Sequence, residues 1–213
     1  MWRAGSVAAD DDATVRALKA VQRNRQMNAP INPTDLAAGA HGSAAVDRVV
    51  RRAEVVAALA PLLPVHALLW QDEDTVPYEC DGLTAYRELP LAVALPETEA
   101  QLSAVLAACH RLSVPVVARG AGTGLSGGAT PHTLGVTLSL AKFNKILKVD
   151  PVSRTAVVQG GVRNAAISEA AARHGLYYAP DPSSKIACTI GGNVAENSGG
   201  MHCLKYGLTL HNV

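Results

Sequence analysis

One run, Arg119-Gly120-Ala121-Gly122-Thr123-Gly124-Leu125-Ser126-Gly127-Gly128, constrains this chain more than any other. It follows directly on the apolar stretch Val114-Pro115-Val116-Val117-Ala118, which reads as a buried strand. A loop with so few β-carbons can bring successive backbone N–H groups within hydrogen-bonding distance of phosphate oxygens. Thr123 and Ser126 add hydroxyl donors, and Arg119 adds a fixed positive charge. A merely tight turn needs far less glycine, so the run is read as a phosphate cradle.

Gly122-Thr123-Gly124-Leu125-Ser126-Gly127 matches the G-x-G-x-x-G nicotinamide fingerprint, which requires those glycines to open a helix. Here the chain continues Gly128-Ala129-Thr130-Pro131-His132, with no helical period and a proline in the way. The string matches and its context fails. A Walker loop is excluded because no lysine follows the last glycine.

A second cluster comprises Pro180-Asp181-Pro182-Ser183-Ser184 and then Thr189-Ile190-Gly191-Gly192-Asn193-Val194-Ala195-Glu196-Asn197-Ser198-Gly199-Gly200. Gly191-Gly192 would permit close approach of backbone to a flat ligand, and Asn193, Asn197 and Ser198 offer groups for polar ring edges. Pro180 and Pro182 fix an extended entry. Alone, the cluster is equally a Gly/Asn-rich surface loop. Downstream of a phosphate cradle, it reads as the other wall of one elongated site.

Around these clusters the pattern is α+β. Residues 1–42 carry no sustained period and read as a mobile leader. A helix follows with Val46, Val49, Val50, Ala53, Val56 and Ala57 on its apolar face, and residues 71–82 read as an irregular connection. Leu91–Leu95 is a strand ended by Pro96. Thr98 and Gln101 form a capping box for a helix lined by Leu102, Val105, Leu106 and Cys109. With the strand at 114–118 this predicts a βαβ unit whose two strands form a parallel pair. Gly135–Leu140 is a further strand, and 146–149 with 155–159 form a hairpin. A helix from about Arg163 to His174, stopped by Gly175, buries Ala166, Ile167, Ala170 and Ala171.

The formal net charge of +1 and 4% aromatic content argue against a nucleic-acid surface. The N-terminus lacks the apolar core of a secretory signal, and the stretch from Val55 to Trp70 is too broken to span a bilayer. The chain reads as cytoplasmic, with Cys80, Cys109, Cys188 and Cys203 as ordinary thiols. No metal site is expected.

The two clusters together, with Pro77-Tyr78-Glu79-Cys80-Asp81-Gly82-Leu83 and His202-Cys203-Leu204-Lys205-Tyr206-Gly207, resemble the FAD-linked 2-hydroxyacid dehydrogenases. Within that family the resemblance is to glycolate oxidase D subunits and flavin-linked D-lactate dehydrogenases. Their FAD-binding fold is that of vanillyl-alcohol oxidase and para-cresol methylhydroxylase. The likeness covers about Val76 to Val213. It implies two subdomains clasping an extended FAD, with 87–213 as the FAD-binding domain and 43–86 as a helical segment and connection before it. It also implies that the family pattern continues past Val213, where a substrate-binding cap would lie.

Residue by residue, the resemblance implies that Arg119 to Gly128 hold the pyrophosphate. Pro180 to Ser184 and Thr189 to Gly200 would lie along the flavin and its ribityl chain, with Tyr206 and Gly207 near the cofactor. Some relatives attach flavin through a histidine where this chain has Thr123, and others through a cysteine from which Cys188 is displaced by one position. Dissociable FAD is therefore expected. The implied substrate is glycolate or D-lactate. The implied partners are other glycolate oxidase subunits, including an electron-transfer subunit, which would place the protein peripheral to the inner membrane. Oxidation of a 2-hydroxy acid also needs a base and a carboxylate anchor. His174, Glu196 and His202 do not form a convincing set, so no catalytic residue is assigned. A non-catalytic FAD-binding partner subunit and a nicotinamide enzyme remain the rival readings.

Overall fold

The structure, a computed structural model, describes residues 41–213. The expected leader lies outside the described residues except for His41 and Gly42, which already belong to the first helix, α1 (His41–Leu59). The expected apolar face of α1 is not the one that packs. Val49 and Val50 are 66% and 63% exposed, whereas Val55 and Leu59 are fully buried. The packing face is completed by three arginines. Arg48 donates to the carbonyls of Leu89 (2.9 Å), Pro90 (3.2 Å) and Thr133 (3.3 Å), Arg51 donates to that of Leu112, and Arg52 pairs with Asp72 at 2.7 Å. Arginine stems cover apolar surface while their heads reach polar groups, a face that a hydrophobic period cannot reveal.

The expected irregular connection is partly ordered. A two-residue strand β1 (Leu68–Leu69) precedes a short helix α2 (Asp72–Thr75) and a 3-10 turn over Val76–Tyr78. Then come β2 (Ala92–Ala94), α3 (Glu99–Arg111), β3 (Val116–Arg119) and β4 (Val136–Ser139). Thr98 caps α3 as expected, its hydroxyl accepting from the Gln101 amide at 3.2 Å. The reciprocal Gln101 carbonyl takes the Glu97 amide at 2.8 Å, one residue earlier than a capping box requires.

The sheet order is β1-β2-β4-β3, with β1 antiparallel to β2 and both β2 and β3 parallel to β4. The expected pair β2–β3 is therefore parallel but not adjacent: β4 occupies the slot between them. Its four residues are all buried, as befits a central strand covered on both faces. The glycine run leaves the carboxyl end of β3, the side on which parallel sheets in α/β proteins hold ligands.

The second half begins with the hairpin β5 (Ile146–Asp150) and β6 (Thr155–Val158). Asp150 stabilises its turn by accepting from the Val152 and Ser153 amides at 3.0 and 3.1 Å. Helix α4 (Asn164–Ala172) buries Ile167 and Ala171, and Gly175 at φ +67 ends that segment in the left-handed region. Two short helices follow, α5 (Ile190–Glu196) and α6 (Cys203–Tyr206).

Two apolar cores result. One gathers Val55, Leu59, Leu91, Val105, Val136, Leu138 and Phe143 around the four-stranded sheet. The other gathers Ala156, Val162, Ile167, Tyr178 and Ile190 behind the hairpin. Gly161 joins them: its amide donates to the Phe143 carbonyl at 2.7 Å, and an added Cβ would lie 2.2 Å from the Leu140 oxygen.

Candidate functional site

The two glycine-rich clusters meet. A Cβ added at Gly120 would lie 2.3 Å from the Thr189 hydroxyl and 3.8 Å from the Gly192 Cα, so only glycine lets the loop touch the second cluster there. Thr189 is itself the N-cap of α5, accepting from the Gly192 amide at 3.4 Å. The contact thus sets the glycine loop against a structured element.

No helix follows the loop: residues 120–134 run through turns and bends to β4. Gly122 (φ +70) and Gly127 (φ +74) take left-handed conformations, which re-aim successive amides within a short span. A Cβ added at Gly124 would meet Asp81 Oδ2 at 3.8 Å and one at Gly127 would meet the Thr130 hydroxyl at 3.6 Å, ordinary contact distances that leave neither position crowded. Ala121, Leu125 and Ser126 are exposed, while Thr123 and Gly128 are half-buried.

Arg119 is placed differently from the expectation of a charge presented to phosphate. It is 9% exposed and turned behind the loop, with its Nη1 donating to the Cys80 carbonyl at 2.7 Å. Its guanidinium lies 5.5 Å from the centre of the Tyr78 ring. Burial lowers its pKa from the ordinary value, opposed by the nearby Cys80, Tyr78 and Asp81. Tyr78, Cys80 and Asp81 were given no role by the sequence. The only signal that contained them was their presence in a stretch shared with the resembling family.

The second cluster is not the Gly/Asn-rich surface loop that its sequence alone left open. Ile190 to Glu196 is helical, and Asn197 closes it at φ 52. Gly191 packs inward, where a Cβ would lie 2.9 Å from the Gly160 oxygen, so it serves packing of α5 against the segment after β6 within the second half. Asn193 is 2% exposed and its Nδ2 has no partner, a donor left free for a ligand oxygen or nitrogen. Gly200 abuts the other part of the cluster, its Cβ position 1.9 Å from the Asp181 oxygen. The Asp181 carboxylate is engaged by Lys185 at 2.9 Å and faces His202 at 3.5 Å. Pro180 is buried, Pro182 and Ser184 are half-buried, and Ser183 is exposed. Ser198 and Asn197 anchor the end of the chain: the Ser198 carbonyl takes the Thr209 hydroxyl at 2.7 Å, and Asn197 Oδ1 takes the Leu210 amide at 3.0 Å.

Beside this wall lies an open concavity of about 630 Å³ lined by Tyr177, Met201, His202, Leu204, Lys205 and Tyr206. Tyr177 and Tyr206 stand edge to face with centroids 6.3 Å apart, and Lys205 Nζ is 5.0 Å from the Tyr206 centroid. The Tyr206 phenol is held below its ordinary pKa, first by Tyr177 and then by Lys205. Gly207, at φ +81, turns the chain away after Tyr206. Another concavity, about 440 Å³ between β5 and α4, contains none of the predicted site residues.

A cradle of glycines, a buried unpartnered amide and an adjoining aromatic concavity fit an extended dinucleotide bearing a flat ring. The comparisons with known proteins agree. The FAD binding domain family model matches residues 90–213. The glycolate oxidase subunit GlcD of Escherichia coli K12 is 63% identical over 164 residues, covering 77% of this chain and 33% of that protein. The D-lactate dehydrogenase of Archaeoglobus fulgidus is 43% identical over 120 residues, covering 56% of this chain and 26% of that one. This chain therefore spans about a third or less of the relatives it matches. The crystal structure of p-cresol methylhydroxylase superposes with a TM-score of 0.60 at 22% identity, over 70% of this chain and 30% of that one, and shares the fold. With more than half of its length matched, this chain belongs to the FAD binding domain family.

Proposed function

We propose that this chain supplies the FAD-holding part of an oxidoreductase acting on 2-hydroxy acids, with glycolate as substrate and D-lactate as its nearest rival. The observation that carries the reading is the contact of the two clusters at Gly120 and Thr189, which makes one continuous wall from a loop suited to phosphate and a helix bearing a free amide. The likeness to a glycolate oxidase subunit and to a D-lactate dehydrogenase supports the substrate class.

In this reading, the Gly120 to Gly128 amides and the Thr123 and Ser126 hydroxyls hold the pyrophosphate. Asn193 donates to a polar ring edge, and Thr189, Gly192 and residues 197–200 line the ring's approach. Pro180 to Ser184, Tyr206 and Gly207 flank the same end. When bound, FAD accepts the hydride equivalent from the substrate carbon. The chain's own residues hold and orient the cofactor and screen one of its faces from water. Two features support a dissociable cofactor: Thr123 has no nucleophilic ring nitrogen, and Cys188 is 4% exposed beneath the start of α5. The word subunit in the relative's name supports an assembly, in which an electron-transfer partner would place the protein at the inner membrane. Among the described residues, no helix is long and apolar enough to cross a membrane.

The test is to purify the protein with FAD, record its flavin absorption, and denature it in acid. Release of FAD into the supernatant is expected, followed by reduction of an artificial acceptor with glycolate when the full-length protein is assayed. A preparation that binds no added FAD would overturn the reading.

A further inference from the structure

Beneath the glycine loop lies a group of side chains separate from the amides and hydroxyls that would hold the pyrophosphate. Asp81 is 4% exposed, and one of its oxygens accepts the Leu83 amide at 2.8 Å. The other, Oδ2, is buried without a partner. It lies 3.8 Å from the Cβ position of Gly124. Arg119 lies near enough for Asp81, after Cys80 and Tyr78, to offset part of the cost of burying its guanidinium, without a direct ion pair between the two.

Arg119 is in turn locked from three directions. Its Nη1 is spent on the Cys80 carbonyl, its face lies against Tyr78, and its Nη2 occupies the space where a Gly122 Cβ would fall, 2.2 Å away. The backbone of the same segment also presses on the loop, since a Cβ at Gly82 would lie 2.8 Å from the Gly124 oxygen and 3.1 Å from that of Thr123. Residues 78–82 and 119–124 are thus a single packed unit, with an acid and a base inside it.

Resting on the FAD reading, we infer that Arg119 and residues 78–82 form a charge-compensated clamp behind the glycine loop: Arg119 is a positioning residue that presets the loop for pyrophosphate, not a phosphate ligand, the Cys80 carbonyl and the Tyr78 ring hold it there, and the Asp81 carboxylate compensates its charge. A carboxylate this close to a phosphate site would otherwise oppose an anionic ligand. In the clamp it strengthens binding, because it offsets part of the cost of burying the arginine that shapes the amides.

The sign of one substitution separates these alternatives. Titrate FAD into the full-length apoprotein by flavin fluorescence at several salt concentrations, for the wild type, Asp81→Asn, Arg119→Lys and Arg119→Met, with thermal unfolding of each apoprotein in parallel. The clamp requires Asp81→Asn to weaken FAD binding by about tenfold. It also requires Arg119→Lys to bind almost as poorly as Arg119→Met, since an ammonium cannot both reach Cys80 and fill the space beside Gly122. The salt dependence of affinity should stay at its wild-type slope in both arginine variants. Tighter or unchanged binding in Asp81→Asn overturns the clamp. So does rescue by Arg119→Lys together with a shallower salt slope in Arg119→Met, the signature of a charge facing the phosphates. If Asp81→Asn does not fold, the arginine pair decides alone. Absence of FAD binding by the wild type overturns the cofactor reading and the clamp with it.

Discussion

At Gly120 a single added atom would disturb the contact between the two clusters. Its Cβ position lies 2.3 Å from the Thr189 hydroxyl, which is also the cap of α5. Gly120→Ala should therefore push Thr189 off its capping geometry, costing about 1 kcal/mol of stability, and weaken FAD binding at least tenfold. The double variant Gly120→Ala with Thr189→Ala removes the clashing oxygen. It should bind FAD better than Gly120→Ala alone in the same titration, and failure to recover any affinity would separate the loop from α5. A second residue gives a pH signature. Cys109 is buried on α3, and burial pushes its thiol up to about 11. A raised thiol pKa means that stability is complete below the unfolded value, near 8.5, and falls as pH rises toward the folded one. Between pH 8 and pH 10.5 the unfolding free energy should drop by on the order of 2 kcal/mol more in the wild type than in Cys109→Ala.

At the scale of elements, the sequence was legible wherever a local rule fixes geometry. The Thr98 cap, the Asp150 turn and the Gly175 stop are each a side chain or glycine acting on its own neighbours, and each stands where the pattern put it. The order of β2, β4 and β3 was not legible, because nothing local distinguishes a strand that adds to an edge from one that inserts between two others. Helix α1 failed for a different reason. Its valines follow a helical period, yet Val49 and Val50 are exposed and the packing face runs through Arg48, Arg51 and Arg52. The second cluster, whose glycines left a surface loop as an even alternative, is helical over Ile190–Glu196, with Thr189 as its cap and Gly191 passing close to Gly160. These packing roles predict opposite effects on α1. Arg48→Ala strips donors from the Leu89, Pro90 and Thr133 carbonyls and should cost about 1–3 kcal/mol in urea unfolding. Val50→Lys, on the exposed face, should stay within about 0.5 kcal/mol of wild type. A larger loss from Val50→Lys than from Arg48→Ala would restore the valine face as the packed one.

For the molecule as a whole, the question is how much chemistry these residues can perform. Oxidation of a 2-hydroxy acid needs a base at the hydroxyl and a cation at the carboxylate, both held against one face of the flavin. The three candidates the sequence offered do not converge. His174 lies just past α4 beside Arg173, Glu196 is exposed at the end of α5, and His202 is exposed and facing Asp181. Tyr206 and Lys205 do stand together at the open concavity, but their outer side is bare: Leu204 is fully exposed and Met201 is 83% exposed. A substrate there would be held from one side only. Misplacement by about 1 Å can cost ~100-fold in rate, and an open mouth leaves water in contact with the ring. Residues 1–213 expressed alone should accordingly bind FAD yet reduce an artificial acceptor with glycolate or D-lactate at less than about a hundredth of the full-length rate. The comparison is made at saturating FAD, so that weak cofactor binding does not masquerade as lost chemistry. Comparable turnover by the two proteins would show that base and anchor both lie within this chain, and substitution of Lys205 and Tyr206 would then be the first place to look for them.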